Sequence, residues 1–136
     1  MDIESAREYC LSMPRATEDM PFGDEDLAIR VEGKIFAFFD LCRPWLMVLK
    51  CDPEKALELR EEHNGILPAW HWNKKYWNEI YFDRDLNDKL IKELIRHSYR
   101  EVVKKLPKKV ANEINQEFEE RQDGWLMAGE INQEFR

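Results

Sequence analysis

The spacing of hydrophobic and polar positions changes several times along the chain, and each change marks an element. Residues 3–12 place apolar side chains at helical intervals and stop before Pro14, which predicts a short amphipathic helix. From Met13 to Asp26 the chain becomes rich in Pro, Gly and acids, which predicts a solvated loop with Phe22 turned inward. Leu27–Val31 and Ile35–Phe39 are β-branched or aromatic and flank Glu32-Gly33-Lys34, the pattern of a hairpin. Trp45–Lys50 reads as a third strand entered after Pro44, a position where a missing ladder donor is tolerated. Asp52 followed by Pro53 supplies a cap and a first-turn proline for a helix over 53–63, closed by Asn64-Gly65. The segment 66–82 predicts a short strand, a loop at Asn73–Lys75 and a second strand at Trp77–Phe82. A last helix, capped by Asp85, is expected to run to about Leu106 and stop at Pro107. Within it Leu86, Leu90, Leu94, Ser98, Val102 and Leu106 form one i+4 row, with Ile91, Ile95, Tyr99 and Val103 beside it. So broad an apolar face is built to lie on a sheet. Strands grouped early, with helices before, between and after, predict an α+β fold: a single compact domain whose antiparallel sheet carries helices on one side.

The tail breaks this pattern. Glu-Ile-Asn-Gln-Glu-Phe occurs at 113–118 and again at 130–135, too short to make a repeat array. Ile114 and Phe118 lie one helical turn apart, as do Ile131 and Phe135, and Gly124 and Gly129 are expected to interrupt the helix between them. The organisation expected is a domain over 1–111 and a C-terminal helical extension over 112–136. That extension would pack on the domain or on a second subunit, making a homo-oligomer.

Composition narrows the class. A length of 136 residues suits one domain, and 43% hydrophobic with 12% aromatic residues suits a packed core. No apolar run approaches the roughly 20 residues needed to span a bilayer. The polar, acidic start is unlike a secretory leader, and a cytoplasmic location is the expectation. Cys10, Cys42 and Cys51 form no Cys-x-x-Cys pair, so each is expected to be a small buried hydrophobe. Net charge is −7, against a generic nucleic-acid coat, but it is unevenly spread. Residues 96–109 hold six basic side chains and one glutamate, and such a patch acts over a Debye length of roughly 8 Å whatever the total.

Several segments, in order, carry a family resemblance: Pro21-Phe22-Gly23, Leu49-Lys50-Cys51-Asp52-Pro53-Glu54, the run from His71 to Asn78 with Trp72, Asn73, Lys74, Lys75 and Trp77, and Ser98-Tyr99 through Val102-Val103-Lys104-Lys105-Leu106-Pro107-Lys108-Lys109. Together they resemble the MmcQ/YjbR family over residues 1 to about 110. The resemblance implies a compact frataxin-like (CyaY-like) domain and a DNA-binding role through a double-wing surface, and brings no catalytic residues. Residues from about 112 onward depart from the family pattern.

Two constellations carry candidate chemistry. Lys92, Arg96, Arg100 and Lys104 recur at i+4 and continue into Lys105, Lys108 and Lys109, a ridge able to neutralise several phosphates. The plain alternative is a solvated helix face, with Asp85 and Asp88 early and bases late to complement the dipole. The second constellation is 66–82, with six aromatics in one short segment. Trp70 and Trp72 alternate with His71 as strand residues would, so Trp rings could stack bases with Lys74 and Lys75 near phosphate. The alternative puts the rings in the core, most clearly for Trp77, Tyr81 and Phe82. His71, Asn73 and Lys74 could instead line a pocket for a small anion. His71 has no acid beside it in sequence, with Glu79 a distant candidate, while His63 is placed near a helix end and His97 on a polar helix side. Dispersed histidines and the lack of a phosphate loop or nucleophile motif predict no metal site, no cofactor and no enzymatic activity. Nucleic-acid binding through Lys92, Arg96, Arg100, Lys104, Lys108, Lys109, Trp70, Trp72 and Lys74 is therefore the leading expectation. A protein-interaction or small-ligand module using 66–82 and the tail is the rival.

Overall fold

The computed structural model describes residues 1–120. Its elements in order are α1 (Ile3–Leu11), β1 (Ala16–Asp19), β2 (Asp26–Val31), β3 (Lys34–Asp40), β4 (Leu46–Lys50), α2 (Pro53–Glu62), β5 (Ile66–Pro68), β6 (Trp77–Tyr81), α3 (Asp88–Val103) and α4 (Lys108–Glu119). The strands form one antiparallel sheet in the order β1-β2-β3-β4-β6-β5. The α+β architecture with helices on one side is what the patterning predicts. Ile29, Val31, Phe36, Met47, Leu49 and Ile80 turn to the helical face, where they meet Ala6 and Cys10 of α1, Leu59 of α2, Ile91 and Ile95 of α3 and Ile114 of α4.

Local chemistry explains the elements that came out as expected. Asp2 caps α1 by accepting from the Ser5 N–H, while the Ser5 hydroxyl accepts from the Asp2 N–H, a reciprocal capping box. The β2–β3 turn has positive φ at both Glu32 (48°) and Gly33 (78°), the geometry that matches strand twist in a tight hairpin. Asp52 accepts from the Lys55 N–H to cap α2, with Pro53 in the first turn.

Three expectations are corrected and one is extended. The acidic stretch after Met13 is partly a strand: β1 pairs with β2, held by Arg7 to Glu18 (2.5 Å) and Arg30 to Asp19 (2.7 Å). Asp85 is not the cap of α3; its carboxylate accepts from the Asn64 and Gly65 N–H groups, and Asn87 caps the helix instead. Third, α3 stops before Pro107 as expected, and Pro107 is the N-cap of α4, which starts ahead of residue 112 and packs Ile114 and Phe118 into the domain's main core. Phe118 meets Tyr99 edge-on at 5.2 Å, and Arg15 pairs with Glu32, Glu113 and Glu117, tying α4 to the hairpin. Ile131, Phe135, Gly124 and Gly129 of the tail lie outside the described residues. Last, Cys10 and Cys51 are buried but Cys42 is exposed.

Candidate ligand site on the open sheet face

The face of the sheet turned away from the helices is not bare. Strand register sets Ala28, Phe38, Val48, Glu79 and Leu67 side by side across five strands, with Leu46 opposite Tyr81 in the next row. Ala28, Phe38, Leu46, Val48, Ala69 and Tyr81 form a second apolar cluster, flanked by Trp72 and Trp77. The loop between β5 and β6 folds over this face. Trp72 packs on Phe38 at 5.1 Å and on Trp77 at 4.6 Å between ring centroids. Asn73 shapes the loop: its side-chain oxygen accepts from the Lys75 N–H and its carbonyl accepts from the Tyr76 and Trp77 N–H groups.

Between this loop and the β3–β4 end of the sheet lies a cleft of about 380 Å³. Phe38, Leu46 and Val48 supply its floor, Phe22 and Trp72 its walls, and Asp26, Asp40, Arg43, His71 and Glu79 its polar groups. Glu79 is buried, and both its oxygens are used: Arg43 donates to one at 3.2 Å and the Tyr81 hydroxyl to the other at 3.0 Å. Arg43 also donates to the Tyr81 hydroxyl at 3.1 Å, and the Arg84 guanidinium lies 3.9 Å over the Tyr81 ring. Burial, then the bond to Glu79, pushes the Tyr81 phenol above its ordinary value. At the rim Asp26 and Asp40 are directly opposite in the β2–β3 register, a like-charge pair that costs stability.

The sequence-predicted residues fall in different places. His71 and Glu79 do line one cleft, but Asn73 and Lys74 do not; the Lys74 ammonium sits 4.8 Å from the Trp70 ring. Trp70 is 68% exposed, Trp72 is half-buried, and neither is in a strand, so the strand alternation inferred for them is wrong. Phe22 is 67% exposed at the cleft wall rather than tucked inward. Tyr81 is buried as expected, with Trp77 and Phe82 half-buried.

The basic ridge is broken. Arg96 is buried, not free for phosphate: α1 covers that side of α3, and Arg96 donates to the Tyr9 hydroxyl. The Lys92 ammonium lies 5.4 Å from the Tyr9 ring, Arg100 is half-buried, and Lys104 pairs with Glu101 at 2.7 Å. Of the seven ridge positions, Lys104, Lys105, Lys108 and Lys109 are exposed. His97 also departs from expectation. It packs inward, where its Nε2 accepts from the Asp52 N–H at 3.2 Å. Among the described residues no cluster of three or more His, Cys, Asp or Glu is placed to hold a metal ion, and no helix is long and apolar enough to cross a membrane.

Arg43, Asp26 and Asp40 were not foreseen as site residues. A signal existed: Phe36-Ala37-Phe38-Phe39 and Leu46-Met47-Val48-Leu49 are apolar without alternation, as strands covered on both faces are.

Residues 11–101 match the family model YjbR. The chain belongs to the YjbR family. Its relatives in that family include the Escherichia coli K12 protein named "Uncharacterized protein YjbR", 34% identical over 79% of this chain and 92% of that one. "Uncharacterized protein YbdF" of Escherichia coli O157:H7 is 33% identical over 78% and 88%. Among solved structures, a Deinococcus radiodurans protein with a DUF419 domain superposes with a TM-score of 0.76 at 34% identity, covering 83% of this chain and 87% of that one. A Pseudomonas syringae protein gives 0.62 at 25% identity, over 72% and 96%. The YjbR match takes in the whole open-face cleft, from Phe22 to Glu79.

Proposed function

We propose that this YjbR-family chain is a non-catalytic binding protein whose ligand is a small organic molecule held in the open-face cleft. The ligand has an aromatic or branched apolar body and one basic group. The observation that carries this reading is the cleft's lining: aromatic and aliphatic walls, three carboxylates, and one arginine already bonded to one of them. A volume of about 380 Å³ is in the range of small-molecule sites, which are mostly apolar with a few convergent polar groups. The Asp26–Asp40 repulsion at the rim would be relieved by a bound cation. Glu79 supports binding over catalysis, because Arg43 and the Tyr81 hydroxyl hold its carboxylate in place as part of a fixed polar network.

The test uses three probes of one shape and different charge: 2-phenylethylamine, benzyl alcohol and phenylacetate. Amide resonances of Phe38, Val48, Trp72 and Glu79 are expected to shift with the amine most, with the alcohol less and with phenylacetate least. Trp72→Ala should remove the response. If no probe moves these resonances, the cleft reading fails.

Nucleic-acid binding is the second reading. What favours it is Trp70, a ring standing out from the surface with the Lys74 ammonium beside it, the pairing of a base-stacking platform with a phosphate contact.

A further inference from the structure

A second cleft, of about 370 Å³, lies on the other side of the aromatic loop and is lined by Lys50, Asp52, Pro53, Tyr76, Glu101, Lys104 and Lys105. We infer that it binds a small phosphorylated molecule, with the phosphate between Lys50 and Lys105 and the Tyr76 ring against the organic part.

The charges decide the sign of the ligand. Three lysines face two carboxylates, so the lining carries one positive charge in excess. Asp52 accepts from the Lys55 N–H as the cap of α2, and Glu101 pairs with Lys104 at 2.7 Å, so Lys50 and Lys105 hold the excess. Lys50 shows the consequence. Burial first, then the ammonium groups of Lys105, Lys104 and Lys34, outweigh Glu101 and hold its pKa below the ordinary lysine value. A lysine in that condition is relieved by an arriving anion, because an opposite charge nearby favours the protonated form.

Two of the three lysines have a simpler role available. Lys104 and Lys105 follow the carboxyl end of α3, where cations complement the helix dipole. Lys50 has no such role, being on β4. It is fixed in place by the sheet and by α3 together: its N–H donates to the Ser98 hydroxyl at 2.9 Å, and that hydroxyl donates to the Phe36 carbonyl at 2.5 Å. The opposite wall is just as firmly set, since the Tyr76 carbonyl accepts from the Cys51 N–H at 2.7 Å. Lys50 on the strand end, Tyr76 on the neighbouring loop and Lys105 just after α3 make a localised anion site. Lysine, a compact point charge, suits a terminal phosphate of two negative charges. A nucleic-acid backbone would instead need a track of cations leading away from the cleft. Arg96 is buried against Tyr9 and cannot extend one.

Pyrophosphate and AMP are the probes, with a duplex oligonucleotide for comparison, all on the full chain. Both small anions are expected to move the Lys50 and Lys105 side-chain ammonium resonances and to raise the Lys50 pKa toward its ordinary value. AMP alone should also shift the Tyr76 ring signals. Lys50→Met and Lys105→Met should each weaken binding at least tenfold, whereas Lys109→Met, outside the cleft, should change it less than twofold. The methionines keep the apolar stems, and unchanged melting temperatures would show that the fold is intact. Binding that survives Lys50→Met, or no response to either small anion, overturns the proposal. Duplex binding that depends equally on Lys109 and Lys50 overturns it in favour of an extended track.

Discussion

Asp52 N–H donates to His97 Nε2, and that hydrogen bond joins the β4–α2 connection to α3 beside the lysine cleft. An accepting Nε2 belongs to a neutral imidazole. Burial pulls the His97 pKa down, more than Glu101 and Asp52 pull it up, and Lys104 and Arg100 add to the depression. The unfolded chain, with a histidine near its ordinary value of about 6.5, therefore binds the proton more readily than the folded one. Stability should begin to fall as pH drops below about 6.5 and go on falling until the folded-state pKa is passed. Urea midpoints of the native chain and of His97→Gln, compared from pH 7.5 to 5, should diverge, with the variant flatter across the lower half. Parallel curves would remove His97 from the account of acid sensitivity. Arg43 gives a second expectation at this scale. Breaking a fully buried ion pair costs about 3–5 kcal/mol, but the Arg43 side chain is 36% exposed, so Arg43→Met should cost about 1–2 kcal/mol. Adding Glu79→Gln should recover part of that loss, because the uncompensated charge is then gone; a strictly additive double variant would mean Arg43 and Glu79 are energetically independent.

At the scale of elements, α4 shows how far the expected helical extension is part of the core. A boundary at residue 111 cuts α4 in its first turn and removes Ile114 and Phe118, both buried in the main core. Deleting a buried Ile and a buried Phe together costs at least about 5 kcal/mol by the usual large-to-small figures, as much as a small domain's whole stability. A chain ending at 111 should therefore melt far below the full chain or fail to fold. A chain ending at 111 that melted within a few degrees of the full chain would show that the α4 contacts carry little. Pro107 serves two helices at once: it follows the end of α3, as its place after a long apolar row predicts, and it opens α4, since proline suits a helix entry. Where the signal is local, as in the Glu32-Gly33 hairpin and the Asp52-Pro53 entry to α2, the chain's own residues suffice to find the element. β1 was invisible for the opposite reason, since Ala16-Thr17-Glu18-Asp19 has no strand composition and depends on β2 and two arginines from elsewhere. Arg96 follows the same logic. Helical spacing places it on the row of Lys92 and Arg100, but only tertiary packing lays α1 and Tyr9 over it.

At the scale of the whole molecule the two clefts differ in charge. Asp26, Asp40 and Glu79 outnumber Arg43 at the open-face cleft, while Lys50, Lys104 and Lys105 outnumber Asp52 and Glu101 beyond the end of β4. This division bears directly on binding to DNA. The six helix residues expected to contact phosphate would together give a slope of log K against log salt of about −5, since each neutralised phosphate contributes about −0.9. With Arg96 buried, Lys92 and Arg100 half-covered and Lys104 paired to Glu101, Lys108 and Lys109 are those of the six left to meet a duplex, and their expected slope is about −2. Fluorescence anisotropy with a short duplex across 20 to 200 mM salt measures it directly. A slope near −5 would mean that α1 moves off α3 on binding, exposing Arg96, and that the covered arrangement is only one state of the protein. A slope near −2 leaves the weak duplex contact at the start of α4, separate from both clefts. In that case 2-phenylethylamine in the open-face cleft and duplex DNA should bind together without altering each other's affinity, because equal affinity in the two states means no thermodynamic coupling between sites.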